Sequence, residues 1–572
     1  MLKERINYWL PYFVLISIAL IIINNMFYGF SWTDEGLYLS NAHRFFTGDR
    51  FLIDDWTPTQ FYEPLLLPLY AIFVKLNDGT DGVFLFFRIA TIIFQACVSF
   101  FAYSVLSKKY DKISALFASL IPLIFSRACL NGPSYYTVGF ETYLLGVLCL
   151  YAVFMLYYKK VFLFLSGVFF AFSILCNPFL VLPYIAISVI CLLIKNSKDH
   201  IKEIAIVWTG TVFIGLLYIA FIYTWGGTKN TISDYLKGFC YTYNDPAYKH
   251  TFIITLKRLY KMPRLIMVPY IIAWLPMILA VVFIKRKLVL QLLNILVFLT
   301  LCFYKNDCGT AIMTFFHFTI FTVLISSKRS TKFFIKDFVR KNTKEILFFI
   351  VPGMILAYFF CFASDTGFGV CSIGMTICAI GEILIFSKYS NKNALRYIPL
   401  IILFAFTFFF RTNLIYRDIR LPTHLLFIPS EDVAKIESGS AKGIYTSKKN
   451  KEYYDDLYNI LNELNDTTQK KSIFISGVAT WAYFSFENLH CAAPTTWRMF
   501  IDDKRLKIYF EDFPKYDFPD YVLVLNKNNP SNDDEDRPSE ISETWMYKEI
   551  EKRGYTKQIV KSGILFTNKG EN

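Results

Sequence analysis

Charge is scarce in this 572-residue chain: 18% of its residues are Asp, Glu, Lys or Arg, against 55% hydrophobic, and its mean hydropathy is +0.40. That scarcity excludes a cytosolic enzyme of this size and a disordered chain, since both depend on solvated charge. Histidine occurs six times, and the twelve cysteines lie mostly in apolar runs, as at Cys97, Cys149, Cys191 and Cys378, with no Cys-x-x-Cys pair. Neither a zinc site nor a disulfide framework follows. No internal repeat stands out. No small-residue cleavage site follows the first apolar run, Leu10 to Met26, which is too long for a signal-peptide core and is read as a retained anchor.

What the chain has in abundance is apolar runs bounded by charge. At about 20 residues per crossing they predict about thirteen transmembrane helices, beginning near Tyr8, Gly82, Ile113, Tyr136, Val161, Pro178, Glu203, Leu265, Leu288, Thr310, Glu345, Phe368 and Tyr397. The formal net charge of +14 belongs to this part: residues 1–410 hold 36 basic against 20 acidic residues, and 411–572 hold 23 against 25. Basic residues gather in alternate connections, from Lys3 and Arg5 through Lys108, Lys109 and Lys112 to Lys388–Arg396, which the positive-inside rule places in the cytoplasm. An excess so distributed is no signature of nucleic-acid binding. An odd number of crossings then puts the N-terminus inside and the tail outside.

Two outer stretches break the simple pattern. Pro64 to Leu76 is apolar but, at about 20 Å as a helix, too short to cross a core about 30 Å thick, so an interfacial helix is expected. Gly226 to Arg264 is polar and basic on the side where basic loops are not expected, so either the crossing map fails there or those cations serve an anion. In the tail, Tyr453, Leu457, Ile460 and Leu461 recur at helical spacing, and Ile473–Ser476, Tyr521–Leu525 and Gln558–Phe566 read as strands. A small α/β domain at 411–572 is predicted beside a membrane domain at 1–410, with Asn528–Ser539 a polar acidic loop.

The sharpest local pattern is Trp32-Thr33-Asp34-Glu35-Gly36-Leu37-Tyr38, just past the outer end of the first crossing. Thr33 is suited to cap a helix with two acids in its first turn and with Gly48-Asp49 as its stop. Such acids complement a helix dipole. Set at headgroup depth, they also stand within reach of a lipid phosphate and a water-borne acceptor together. The stretch Asp34-Glu35, Tyr38, Gly48-Asp49, Pro64-Leu65-Leu66 and Phe87-Arg88-Ile89 resembles the first outer loop and second crossing of the GT-C membrane glycosyltransferases, most of all the lipid A aminoarabinose transferase, protein O-mannosyltransferase and Rgt-like branch. The resemblance covers about residues 1–160 at motif level. The crossing count and outer tail extend it architecturally.

The resemblance implies a GT-C fold and transfer of a sugar from a polyprenyl-phosphate carrier to a hydroxyl of a glycan, lipid or protein at the outer face of the membrane. Asp34 matches the family's first-loop acid, the expected general base. Glu141 matches the second acid, where the family more often has Asp; positioning the acceptor and holding a divalent metal are both open to it. One departure is clear: Glu63 stands before Pro64 where aminoarabinose transferases have Lys.

Read from the residues alone, extracytoplasmic transfer needs a base beside the acceptor oxygen and cations around a leaving phosphate. Asp34 with Glu35 and Glu141 supply the acids; Arg88, Lys249, Lys257 and Arg258 supply the cations, each with solvated or snorkelling charge as its alternative. Asp307 is a third candidate acid, and Tyr38 and Glu63 complete the residues expected to face substrate. Trp56 and Tyr62 share the acidic loop, and Asp54-Asp55, mis-spaced for a metal-binding DxD motif, are expected to be solvated surface acids. His250 and His317 are open to roles as ligands or acceptor contacts, with ordinary polar contacts the plainer reading. A multi-pass transporter is the rival reading.

Overall fold

Apolar stretches free of internal charge form helices because only a helix satisfies its own backbone polar groups in lipid. The computed structural model describes residues 2–30, 34–126, 132–156, 159–194, 198–225, 231–243, 257, 274–277, 279–281, 283–284, 286–305, 308–326, 331–363, 370–389, 397–413, 433–465, 468–496, 503–511, 518–526 and 541–568. Among these, α1 (Leu2–Asn25), α4 (Val83–Leu106), α5 (Lys112–Ile124), α6 (Tyr135–Leu156), α7 (Val161–Cys176), α8 (Val181–Ile194) and α9 (Lys198–Trp225) build the first part of a bundle. The second part is α11 (Lys287–Lys305), α12 (Cys308–Ser326), α13 (Thr331–Glu345), α14 (Val351–Ala363), α15 (Cys371–Tyr389) and α16 (Ile398–Asn413).

Twelve of the expected crossings coincide with apolar helices; the one near Leu265 begins outside the described residues. Among the described residues five stretches are long and apolar enough to cross a membrane: Val83–Leu106, Tyr135–Leu156, Ile201–Trp225, Phe338–Cys361 and Cys371–Tyr389. Helix α5, at 13 residues, extends about 20 Å. The chain is an α-helical multi-pass membrane protein. Exposed Phe13, Leu20, Phe213, Leu216, Leu292 and Leu296 mark faces suited to lipid.

Small residues let the bundle close. A Cβ on Gly167 of α7 would come 1.8 Å from Val207 O on α9, and one on Gly374 of α15 would come 2.1 Å from Ala357 N on α14. Such backbone approaches make the dense contact that lipid-embedded helices need in place of a hydrophobic drive. Helix α15 lies at the centre, buried from Cys371 to Phe386.

Outside the bundle, α2 (Asp34–Thr47) and α3 (Glu63–Asn77) form the first loop, and α10 (Ile232–Tyr243) packs on it. Helix α3 is the expected short apolar helix. The tail carries an antiparallel pair, β1 (Val433–Lys435) and β2 (Tyr445–Ser447), and a five-stranded mixed sheet in the order β4 (Leu489–Cys491), β3 (Lys471–Ser476), β5 (Tyr521–Leu525), β7 (Gly563–Thr567), β6 (Thr556–Val560). β3 is parallel to β4 and β5, whereas β5–β7 and β7–β6 are antiparallel. Helix α17 (Lys448–Leu464) presents Asn450, Tyr454, Leu457 and Leu461 inward. The expected stripe is therefore shifted by one at its start: Tyr454 fills the core and Tyr453 stands beside it. The acidic loop 528–539 lies outside the described residues.

First loop and tail share one hydrophobic core. Phe30 after α1, Phe84 in α4, Tyr454 in α17 and Trp481 meet ring to ring, with centroids 5.2 Å apart for Phe30–Phe84, 5.7 Å for Phe30–Tyr454 and 4.2 Å for Tyr454–Trp481. Burying each such ring stabilises by about 2–3 kcal/mol. Backbone bonds reinforce the seam: Gly29 N donates to Tyr445 O at 2.8 Å, Trp56 N to Pro494 O at 2.7 Å and Gly82 N to Gly439 O at 3.0 Å. The loop 28–82 and the tail consequently stand at the same end of the bundle.

Candidate active site

Helix α2 is buried along almost its whole length although half its inward side chains are polar. Burial of that kind is costly unless every group finds a partner. Ser40 Oγ lies 2.8 Å from Thr496 Oγ1, Asn41 Nδ2 donates to Glu63 Oε1 at 3.2 Å, and His43 Nδ1 shares a 2.8 Å hydrogen bond with Tyr70 OH. A polar helix is thus wrapped by α3, the tail and the start of α4.

Its first turn is anchored to the bundle. Arg88 donates from Nε to Glu35 Oε1 at 2.5 Å, from Nη2 to Glu35 Oε2 at 2.7 Å, and from Nη1 to Met26 O at 2.7 Å. Both charged side chains are 1% exposed. Arg88 was expected either to snorkel or to face a leaving phosphate; here its guanidinium is taken up by a buried bidentate pair and by Met26 O, the geometry in which it is best satisfied. A Cβ on Gly132 would come 2.9 Å from Glu35 Cγ, so that glycine keeps room for the carboxylate. Both oxygens of Glu35 are thus occupied; the side chain of Asp34, the acid before it, lies outside the description.

Arg88 is one rung of a polar stripe. Arg88, Thr91, Gln95 and Ser99 recur at helical spacing on the buried face of α4. Gln95, about 10 Å along the axis from Arg88, donates from Nε2 to Glu141 Oε1 at 3.3 Å and accepts from Arg411 Nη2 at 3.0 Å. Arg411 also donates to Phe125 O at 2.6 Å. Glu141 Oε2 has no hydrogen-bond partner among the described residues. One face of α4 therefore gathers the acids of the first loop and of α6, with a cation near each.

The other end of α2 opens on a cleft of about 1040 Å³ between the loop and the tail, lined by Asp49, Arg50, Asp54, Lys471, His490 and Arg553 among others. Arg44 donates to Asp49 Oδ2 and to Asp54 O, each at 2.5 Å, and His490 Nε2 meets Asp49 Oδ1 at 2.7 Å. Burial pushes the Asp49 carboxyl up, but His490 and Arg44 outweigh it and hold the group well below the usual carboxylate range. His490 is raised, chiefly by Asp49 against burial, while burial and the neighbouring His490 bring His43 down to about 3. Burial also raises Asp54, Asp55 and Glu63.

Several expectations change here. Asp54 and Asp55 are not solvated: they are 6% and 0% exposed, because Arg50 and Arg44 fold them inward. Trp56 is buried, stacked on Tyr241 with centroids 4.9 Å apart, and Tyr62 is buried too, so neither offers a free ring face. Tyr38 packs edge-on to Tyr62 and Tyr135. Glu63, besides Asn41, accepts from Thr59 Oγ1 at 2.8 Å. Lys257 is exposed; Lys249, His250, Arg258 and Asp307 lie outside the described residues. His317 Nδ1 lies 3.2 Å from Met313 O, within its own helix. Among the described residues no group of three or more His, Cys, Asp or Glu is arranged to hold a metal.

Asn41, Arg44, Gln95, Arg411 and His490 were not legible as site neighbours. Gln95 left a signal, a polar residue at helical spacing from Arg88 inside an apolar run. The pairing of Asp49 with His490, across 441 positions of chain, left none.

No family model matches the sequence, and no curated protein matches it. Among solved structures the chain is similar to three of the archaeal oligosaccharyltransferase of Archaeoglobus fulgidus, each 12% identical and each covering 99% of this chain. One is tethered by a disulfide bond to an acceptor peptide containing the NVT sequon (TM-score 0.48, 74% of that chain covered), one is in complex with an inhibitory peptide and a dolichol-phosphate (0.45, 75%), and one is the apo form (0.47, 75%).

Proposed function

We propose that this chain is an inverting GT-C glycosyltransferase of the cell membrane that moves a sugar from a polyprenyl-phosphate carrier to a hydroxyl acceptor at the outer face. In this reading residues 1–410 are the membrane catalytic domain, 411–572 an extracytoplasmic α/β domain, and the N-terminus is cytoplasmic. The observation that carries it is the Glu35–Arg88 pair, which pins the acidic start of α2 to the face of α4 that also meets Glu141. Asp34 takes the acceptor hydroxyl proton as the acceptor oxygen bonds to the anomeric carbon. The bond from that carbon to the phosphate oxygen breaks, and the polyprenyl phosphate leaves as a stable anion that needs no strong acid. Glu35 and Arg88 act as a neutral unit that positions Asp34. Glu141 orients the acceptor, and the cleft beside Asp49 receives the rest of the acceptor.

The test begins with the lipid retained by the purified chain, identified by mass spectrometry, followed by transfer of its sugar in reconstituted vesicles. An Asp34→Asn variant, correctly inserted, is expected to transfer about 10²–10⁴-fold more slowly. Undiminished transfer would remove Asp34 as the base, and a diphosphate-linked lipid would remove the donor class.

Transport is the second reading, favoured by Glu382, a fully buried acid of α15 with no hydrogen-bond partner for either oxygen among the described residues. Accumulation of substrate in vesicles without covalent transfer would decide for it.

A further inference from the structure

Helix α4 runs about 36 Å from the tail to the opposite end of the bundle. There the turn after it carries Lys108 and Lys109, Lys112 opens α5, Lys344 and Glu345 close α13, and Lys388 lies in the last turn of α15. Glu345, buried at 1% exposure, accepts from Tyr110 OH, and Lys388 Nζ lies 2.8 Å from its other oxygen. Tyr151 OH donates to Tyr110 OH at 3.2 Å. Lys109 Nζ stands 5.8 Å from the centroid of the Tyr151 ring, and Lys388 Nζ 5.9 Å from that of Tyr110. Lys388 also reaches Asn342 Oδ1 at 3.5 Å, and Asn342 Nδ2 donates to Tyr389 OH at 2.9 Å.

This is a rigid floor with an unbalanced rim. Among the described residues three ammonium groups, those of Lys109, Lys344 and Lys388, stand around the Glu345 carboxylate. Lys108, Lys112, Arg340 and Lys341 are exposed around them, and Asp111, which caps α5 by accepting from Ser114 N at 3.0 Å, adds one acid to that rim. Like charges held together are unfavourable unless an anion enters among them. Burial and the adjacent Lys344 accordingly bring Lys109 down to about 8. The cluster lies at the end of an apolar bundle beside exposed Ile113, where a headgroup phosphate would sit with its chains along the helices.

We propose that this cluster is a phosphate-binding site, with Lys109, Lys344 and Lys388 as its donors and the headgroup of an anionic phospholipid as the occupant its position favours. It is independent of the transfer reaction proposed for the other end of the molecule.

The test uses the full chain in nanodiscs of phosphatidylcholine with or without phosphatidylglycerol. The anionic lipid is expected to raise the melting temperature by several degrees and to be retained over phosphatidylcholine in native mass spectrometry. The Lys109→Gln/Lys344→Gln double variant should lose both effects, whereas Lys75→Gln, an exposed lysine of α3, should keep them. Stabilisation of the detergent-solubilised chain by glycerol phosphate would assign the phosphate site to a soluble ligand; stabilisation by phosphatidylglycerol alone would assign it to lipid. No retention of phosphatidylglycerol over phosphatidylcholine together with no effect of glycerol phosphate overturns the site, as does a response unchanged in the double variant.

Discussion

His490 Nε2 lies 2.7 Å from Asp49 Oδ1, and this ion pair ties strand β4 of the tail to the turn that ends α2. It also makes the seam sensitive to pH. His490 titrates above its ordinary value, so its stabilisation is complete below about 6.5 and is lost as pH rises through the raised folded value. Asp49 titrates below its ordinary value, so its share is present above about 3.9 and is lost only as pH falls through the depressed folded value. Thermal unfolding should therefore show stability declining as pH rises above about 6.5, by about 1 kcal/mol at most because a side chain about one-third exposed is screened. His490→Gln should flatten that decline; an unchanged slope would detach the effect from this pair.

Arg88→Leu leaves the Glu35 carboxylate buried without its counter-charge. The expected loss is about 3–5 kcal/mol, read as a lower melting temperature in detergent. The Glu35→Leu/Arg88→Leu double variant should recover much of it, since no isolated charge then remains. A double variant as unstable as the single one would mean that shape, not charge, holds α2 to α4.

Glu141→Gln keeps the size of the side chain and removes its charge. If Glu141 orients the acceptor, transfer should fall about 10–100-fold with the acceptor KM rising, while the melting temperature holds. Unchanged turnover and unchanged acceptor affinity would end that role.

Gly36 touches the tail directly: a Cβ there would stand 2.3 Å from Thr480 Oγ1 and 3.0 Å from Trp481 N. Gly36→Ala should cost about 1–3 kcal/mol and slow transfer by displacing the start of α2. Adding Thr480→Ala removes the nearer atom and should restore part of both. Transfer left at the parental rate in Gly36→Ala would separate the seam from catalysis.

How much of this was legible varied from residue to residue. Helix α3 and strand β5 could be bounded from local pattern, because an apolar run too short to span and a β-rich run between breakers each state a local requirement. The acid pair at the start of α2 was visible for the same reason. That Asp54 and Asp55 turn inward was not, since the guanidinium groups of Arg50 and Arg44 that receive them make the difference between surface and interior.

Hydropathy and periodicity, properties of neighbouring residues, were enough by themselves to determine a helical membrane bundle with an α/β tail. Only the tertiary structure decided that Glu35 is neutralised by Arg88, that Glu141 meets Arg411 through Gln95, and that the tail closes over the first loop. The physical reason is that charge pairing and burial depend on distance in space, and the partners stand 53, 46, 316 and 441 positions apart in the chain.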